Sequence, residues 1–369
     1  MRKHYLDNIR WFIILLVLVD HTVCIFSACK SPMSYNTNGI EALDSIGYLI
    51  YPWFMPCLFV VAGMSARYAI AKYAGKSSAD TDFIIGKDIR KRFIKERRRK
   101  LLIPFLAYLV LIGPFAAELS FRTTNAEETF AALPKAVIFL IRIVNGMGPA
   151  WFLIQLFLIS WIFLLFLKLD KNQKLLQWGE RVNIWGLLLL YIPVFLAAQV
   201  LYVAYTFRNA LYLLLFLMGY YIFSHDKVQE ICKKYAFLFL GAGLLSGLAQ
   251  MLLYWGKAYQ YIVNEPLVML FTWFMILALL GIFGRFFDKA NEITEYFTEN
   301  SFGIYLFHYV PIVYIAYFLD TRCKLPDIFN YLFTFAGAFL AAVVLTELIK
   351  RIPWLNTLFG LKKKAKMNE

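Results

Sequence analysis

Charge is what this chain lacks. Asp, Glu, Lys and Arg make up 17% of its 369 residues, where a soluble domain carries about a quarter. The apolar share is 61% and the mean hydropathy is +0.61. This shortage excludes an ordinary soluble enzyme. Cysteine is scarce too. The five cysteines form no CxxC and no metal-ligand spacing, so no metal site is expected; Cys24, Cys57 and Cys232 lie in or near apolar runs, and Cys29 and Cys323 are free to pair if both face outward. Acidic residues are outnumbered, 24 against 38, for a net charge of +14. The basic residues sit in the connections between apolar runs, however, which is the pattern of loops held on the cytoplasmic side and not of a nucleic-acid partner.

The apolar residues come in runs of roughly 20, the length that crosses a hydrocarbon core about 30 Å thick. Ten are expected to span: 9–29, 46–70, 101–120, 149–168, 184–205, 208–224, 235–255, 264–284, 301–319 and 328–349. The segment 129–144 is shorter, is interrupted by Pro134 and Lys135, and reads as interfacial or re-entrant. The expected class is an all-α polytopic membrane protein. It forms a single transmembrane domain over 1–369, with a basic cytoplasmic loop at 71–100, an outer loop at 121–148 and a basic tail at 350–369. Few apolar residues remain for a separate soluble core, so no appended catalytic domain is expected. The first run contains Asp20 and His21, which the core of a cleaved signal peptide does not carry, so it reads as a retained helix. With the N-terminus inside, 28 Lys and Arg fall on the cytoplasmic side and eight outside. That asymmetry places both termini in the cytoplasm. No internal repeat is evident, and the halves lack the paired broken helices of many secondary transporters.

Arg10 and His21 are eleven positions apart on the first span. Eleven steps of about 100° return to within about 20° of the same face, roughly 16 Å along the axis. One stripe thus carries a guanidinium near the cytoplasmic surface and an imidazole beyond the midplane, both turned into the bundle because lipid-facing charge is costly. An imidazole neutral at physiological pH is a candidate general base. The plainer reading is an arginine obeying the loop-charge rule and a histidine bonded to a neighbouring helix. Asp20 adds a carboxylate, but adjacent residues do not face each other on a helix, so another helix is its expected partner.

Further along, Ala62, Gly63, Ser65 and Ala66 let a helix or a thin ligand approach closely. The run 87–100, with Arg97 and Lys100 at its end, reads either as a lipid-attracted loop or as a cradle for a phosphorylated ligand. Trp151 and Gln155 open the fourth span. Ser301, Tyr305 and His308 fall at i, i+4 and i+7, a polar stripe on one face of the ninth. His4 and His225 lie in cytoplasmic segments and carry no such pattern.

Together these segments resemble the bacterial acyltransferase 3 family, whose members include glucan succinyltransferase-like and polysaccharide O-acetyltransferase-like enzymes. The matching pieces are Tyr5-Leu6-Asp7-Asn8-Ile9-Arg10 followed after ten residues by His21, Phe59 to Ser65, and the basic run into Leu101-Leu102-Ile103-Pro104. Trp151-Phe152-Leu153 and Ser301 to His308 complete the set. Three positions depart from the pattern: Ala62-Gly63-Met64 replaces a Ser-Gly-Phe-type segment, Asp20 stands beside the histidine, and Lys100 stands where arginine is commoner. The resemblance implies an O-acyltransferase that takes an acyl group, most simply acetyl, from cytoplasmic acyl-CoA. It delivers that group to a hydroxyl of an envelope glycan or a lipid-linked acceptor, with no permanently bound cofactor. By the same resemblance His21 is the catalytic base that activates the acceptor hydroxyl, or a group that handles the acyl unit directly, and Arg10, Arg97 and Lys100 meet the phosphates of the donor. Asp20, Ser65, Trp151, Tyr305 and His308 are candidates to line the site. The expected location is the cell membrane, and transfer is expected to finish within the membrane domain. The competing reading is a transporter or flippase that uses Asp20, His21, His308 and Glu118 as coupling groups.

Overall fold

A computed structural model describes residues 3–27, 39–77, 80, 83–123, 130, 132–204, 206–323 and 325–361. The chain is 82% helical. The strand among the described residues is one short antiparallel ribbon, Tyr202–Ala204 against Phe207–Arg208. Each of the ten expected runs contains helix. Among the described residues, six helices have the length and apolarity to cross a membrane: His4–Phe26 (α1), Glu41–Tyr73, whose α-helical part is Asp44–Tyr73 (α2), Gly148–Leu169, Ala236–Leu253, Pro266–Phe286 and Asp327–Arg351. Two bent pairs, Lys87–Leu111 with Gly113–Leu119 and Glu292–Phe307 with Tyr309–Cys323, raise the number to eight if each is one span. The runs at 184–205 and 208–224 form only Ile184–Gln199 and Asn209–Phe223. Sixteen residues of helix rise about 24 Å, short of a core about 30 Å thick. The segment after Pro134 is the eleven-residue helix Lys135–Asn145, which buries nothing. The basic stretch expected as a loop is itself helical over Lys87–Arg97.

The helix breaks follow from proline chemistry. Pro311 has no N–H to offer Phe307, and its ring crowds that carbonyl. The helix accordingly bends by 56° between Phe307 and Tyr309, leaving His308 at the corner. Pro114 stands at the other bend, of 46°. In α2 two prolines occur without ending the helix. Pro52 leaves the Tyr48 carbonyl without its partner one turn on, and Gln250 Nε2 donates to it at 2.8 Å. Pro56 does the same to the Pro52 carbonyl, which shares the single Thr272 hydroxyl hydrogen, at 3.1 Å, with the Val268 carbonyl at 2.9 Å. Side chains of neighbouring helices thus satisfy backbone groups that lipid could not.

The chain packs as two compact units: Met1–Ile13, Tyr48–Arg97 and Gln155–Asn291 form the first, and Ile14–Gly47, Arg98–Ile154 and Glu292–Glu369 the second. Within the first, the start of α1 is held by the segment 287–289. Asp288 Oδ1 accepts from the Tyr5 N–H at 3.0 Å, one of the donors a helix start leaves unpaired, and Asn8 Nδ2 donates to the carbonyls of Phe287 and Lys289. Glycine lets α2 meet the helix Asn209–Met218. A Cβ on Gly63 would lie 2.0 Å from the Phe216 carbonyl oxygen, and one on Gly219 would lie 2.1 Å from that of Val60. Helix packing is therefore what Gly63 provides. In the second unit, Ile25, Phe26, Leu119, Ile312, Val313, Ala316, Tyr331 and Ala338 form an apolar core. There the Tyr331 hydroxyl donates to the Phe26 carbonyl and accepts from the Ile40 N–H, both at 3.2 Å.

Candidate active site

Two groups of the expected residues assemble, one in each unit. In the first unit Arg10 sits on α1 and reaches two acceptors. Its guanidinium pairs with Asp7 one turn back, at 2.6 Å, and donates to Ser65 Oγ, which in turn donates to the Val61 carbonyl at 2.7 Å. Ser65 is thus a holder of Arg10. Arg97 stacks on the Phe93 ring at 5.0 Å, in the same unit as Arg10. A guanidinium can meet phosphate oxygens with two parallel hydrogen bonds. Lys100 belongs to the second unit and is exposed on the π-helical turn Arg98–Leu102.

The second unit holds the imidazoles. His21 comes from α1 and is half-buried; His308 comes from the helix corner and is fully buried. His21 Nδ1 lies 3.0 Å from His308 Nε2, with the rings stacked at a centroid distance of 5.1 Å. The other nitrogen of His308, Nδ1, lies 2.7 Å from the Tyr305 carbonyl. The Tyr309 ring meets His21 edge-on at 5.6 Å. Tyr305 itself turns its hydroxyl to the Pro149 carbonyl, and its ring meets Phe152, which in turn meets Trp151. The segment Gly148–Phe152 and the stripe ending in His308 therefore build one wall. Gly148 adopts φ +43°, and a Cβ there would fall 2.9 Å from the Tyr309 ring. A side chain at that position would meet both a strained backbone and an occupied space.

Asp20 is buried, and its Oδ1 has no hydrogen-bond partner among the described residues. Its carboxylate hydrogen-bonds the Cys24 side chain one turn on along α1. Ser301 is buried on the helix Glu292–Phe307. Glu118 pairs with Arg142 at 3.0 Å. The proposed Cys29–Cys323 pairing involves Cys29, which lies outside the described residues. One member of the cluster was not singled out from the sequence: Tyr108. Its buried hydroxyl has no partner among the described residues, and it lies 3.2 Å from the point a Gly148 Cβ would occupy, beside Tyr309. A tyrosine inside an apolar run carries no mark that separates it from a packing residue.

A largely helical, multi-pass membrane protein with a half-buried and a fully buried imidazole in contact, beside an uncapped tyrosine hydroxyl, has groups for proton transfer. Over residues 3–347 the chain matches the acyltransferase 3 family, described as an acyltransferase domain. The chain belongs to that family and is a membrane acyltransferase. No characterised protein and no solved structure matches it.

Proposed function

We propose that this membrane acyltransferase moves an acetyl group from cytoplasmic acyl-CoA to a hydroxyl of an envelope glycan or lipid-linked acceptor, and that it works in the cell membrane with both termini inside. The observation that carries the reading is α1. One continuous helix holds Arg10 and His21 eleven residues apart, so a phosphate-binding charge and a proton acceptor are separated by roughly 16 Å along its axis. That separation suits a donor whose phosphates stay near the cytoplasmic surface while its thioester reaches inward.

In this reading Arg10, steadied by Asp7 and Ser65, takes donor phosphate together with Arg97; Lys100 is proposed for donor phosphate on the family resemblance alone. His21 removes the proton from the acceptor hydroxyl as the oxygen attacks the thioester carbonyl carbon. The C–S bond then breaks, and the thiolate leaves with that proton. Tyr305 and Trp151 belong to the wall beside the base. The Glu118–Arg142 pair argues against the transporter alternative, because it neutralises a carboxylate which that alternative needs as a coupling group.

The test is to supply labelled acetyl-CoA to membranes with and without the protein and to follow label into the envelope glycan fraction. Label should appear only with the protein, and Arg10→Ala should weaken CoA binding. Purified protein that neither binds CoA nor turns it over, yet moves solute in liposomes, would exclude the reading.

A further inference from the structure

The two imidazoles are joined in a way that assigns their protons. A carbonyl oxygen can only accept, so the His308 Nδ1 that lies 2.7 Å from the Tyr305 carbonyl must carry the hydrogen. In a neutral imidazole the other nitrogen is then a lone pair. His308 Nε2, 3.0 Å from His21 Nδ1, is therefore the acceptor of that bond, and His21 Nδ1 is the donor. The proton of neutral His21 is thus placed on Nδ1, which leaves Nε2 as its basic atom.

We propose that His308 is a positioning residue: it holds His21 in the Nδ1–H form, so that Nε2 is the atom that takes the acceptor proton. The inference rests on the role of His21 as base. The helix corner is what makes it possible. Pro311 bends the helix at His308, and the Tyr305 carbonyl on the last turn before the bend takes the imidazole hydrogen. His308 itself is completely buried, so water cannot compete for its nitrogens. When Nε2 gains the proton, the imidazolium keeps its Nδ1–H bond to His308, whose own dipole is oriented by the backbone carbonyl. The group that orients the base is thus a neutral one.

The chain has only four histidines, so 15N-histidine labelling of the full protein in lipid nanodiscs, with single replacements, resolves His21 by subtraction. Wild-type His21 should show a protonated Nδ1 and an unprotonated Nε2. In His308→Leu that preference should disappear. His308→Gln, which can still offer an amide oxygen to Nδ1, should restore it. In acetyl-CoA turnover, His308→Leu should lower kcat by about 100-fold, the lower range of general-base effects, with the KM for acetyl-CoA unchanged. His308→Gln should recover at least about tenfold of that loss.

A neutral wild-type His21 with its proton on Nε2 would overturn the proposal, as would full kcat in a well-folded His308→Leu. Equal kcat for the Leu and Gln variants would reduce His308 to a packing residue. The spectroscopic result is independent of transfer. If the tautomer behaves as described while no acyl-CoA is turned over, the assignment of the bond stands and the reading of His21 as an acyl-transfer base falls.

Discussion

Replacing Gln250 with leucine should unpair one backbone carbonyl, and the size of the effect should depend on a proline one helix away. Gln250 is completely buried and donates to the Tyr48 carbonyl at 2.8 Å. That carbonyl has no helical partner because residue 52 is proline. A buried acceptor left unsatisfied costs about 1–3 kcal/mol, while interhelical hydrogen bonds between side chains in membranes average about 0.6 kcal/mol because their partners find substitutes. The Tyr48 carbonyl has no substitute, so Gln250→Leu should cost about 1.5 kcal/mol. In a Pro52→Ala background the restored backbone N–H at that position can donate to the Tyr48 carbonyl, and the same change should cost less than about 0.5 kcal/mol. The assay is unfolding of the purified protein in mixed detergent, with the four variants arranged as a double-mutant cycle. A coupling of about 1 kcal/mol is expected. An equal cost in both backgrounds would refute the explanation of how α2 tolerates its prolines.

Other consequences follow from the same packing and burial. Gly63→Ala forces a Cβ to within 2.0 Å of a backbone oxygen and should destabilise by about 1–3 kcal/mol. Gly241→Ala, in a helix interior with nothing within 4 Å, should be neutral or stabilise by up to about 1 kcal/mol; thermal midpoints of the two variants check the contrast. His225 lies outside the spans, bonds to the Leu176 carbonyl at 2.8 Å, and is pushed below the ordinary 6.5 mainly by burial. The unfolded chain therefore binds more protons than the folded one just below pH 6.5, and stability should fall as the pH drops from there through the lowered folded value. Melting curves between about pH 7.5 and 5 should show this slope, and His225→Gln should flatten it.

Much of the architecture was legible because it is written in apolar run length. The helices within 184–205 and 208–224 are shorter than those runs because apolarity continues through the turn before Arg208, so the sequence shows no gap where the helix stops. The bend at His308 had a readable signal in Pro311, three residues on, yet the stripe Ser301, Tyr305, His308 reads equally well on a straight helix. Arg10 and His21 were legible because one helix carries both. The contact between His21 and His308 was not, since it joins residues 287 positions apart and no local pattern encodes it. Gln250 and Thr272 went unnoticed for a related reason. Their meaning lies in carbonyls freed by Pro52 and Pro56 on another helix. Ser65 was noticed as a small residue, whereas its hydroxyl is what matters, as the acceptor for Arg10.

The most direct measurement of the central claim is single-turnover transfer from labelled acetyl-CoA by the purified protein in nanodiscs, with His21→Ala beside the wild type and CoA binding measured on both. Transfer is predicted to fall by about 100-fold or more while CoA binding stays within a factor of about two, because the arginines proposed to meet the donor phosphates are untouched. Near wild-type transfer by His21→Ala, or loss of CoA binding in step with activity, would contradict it.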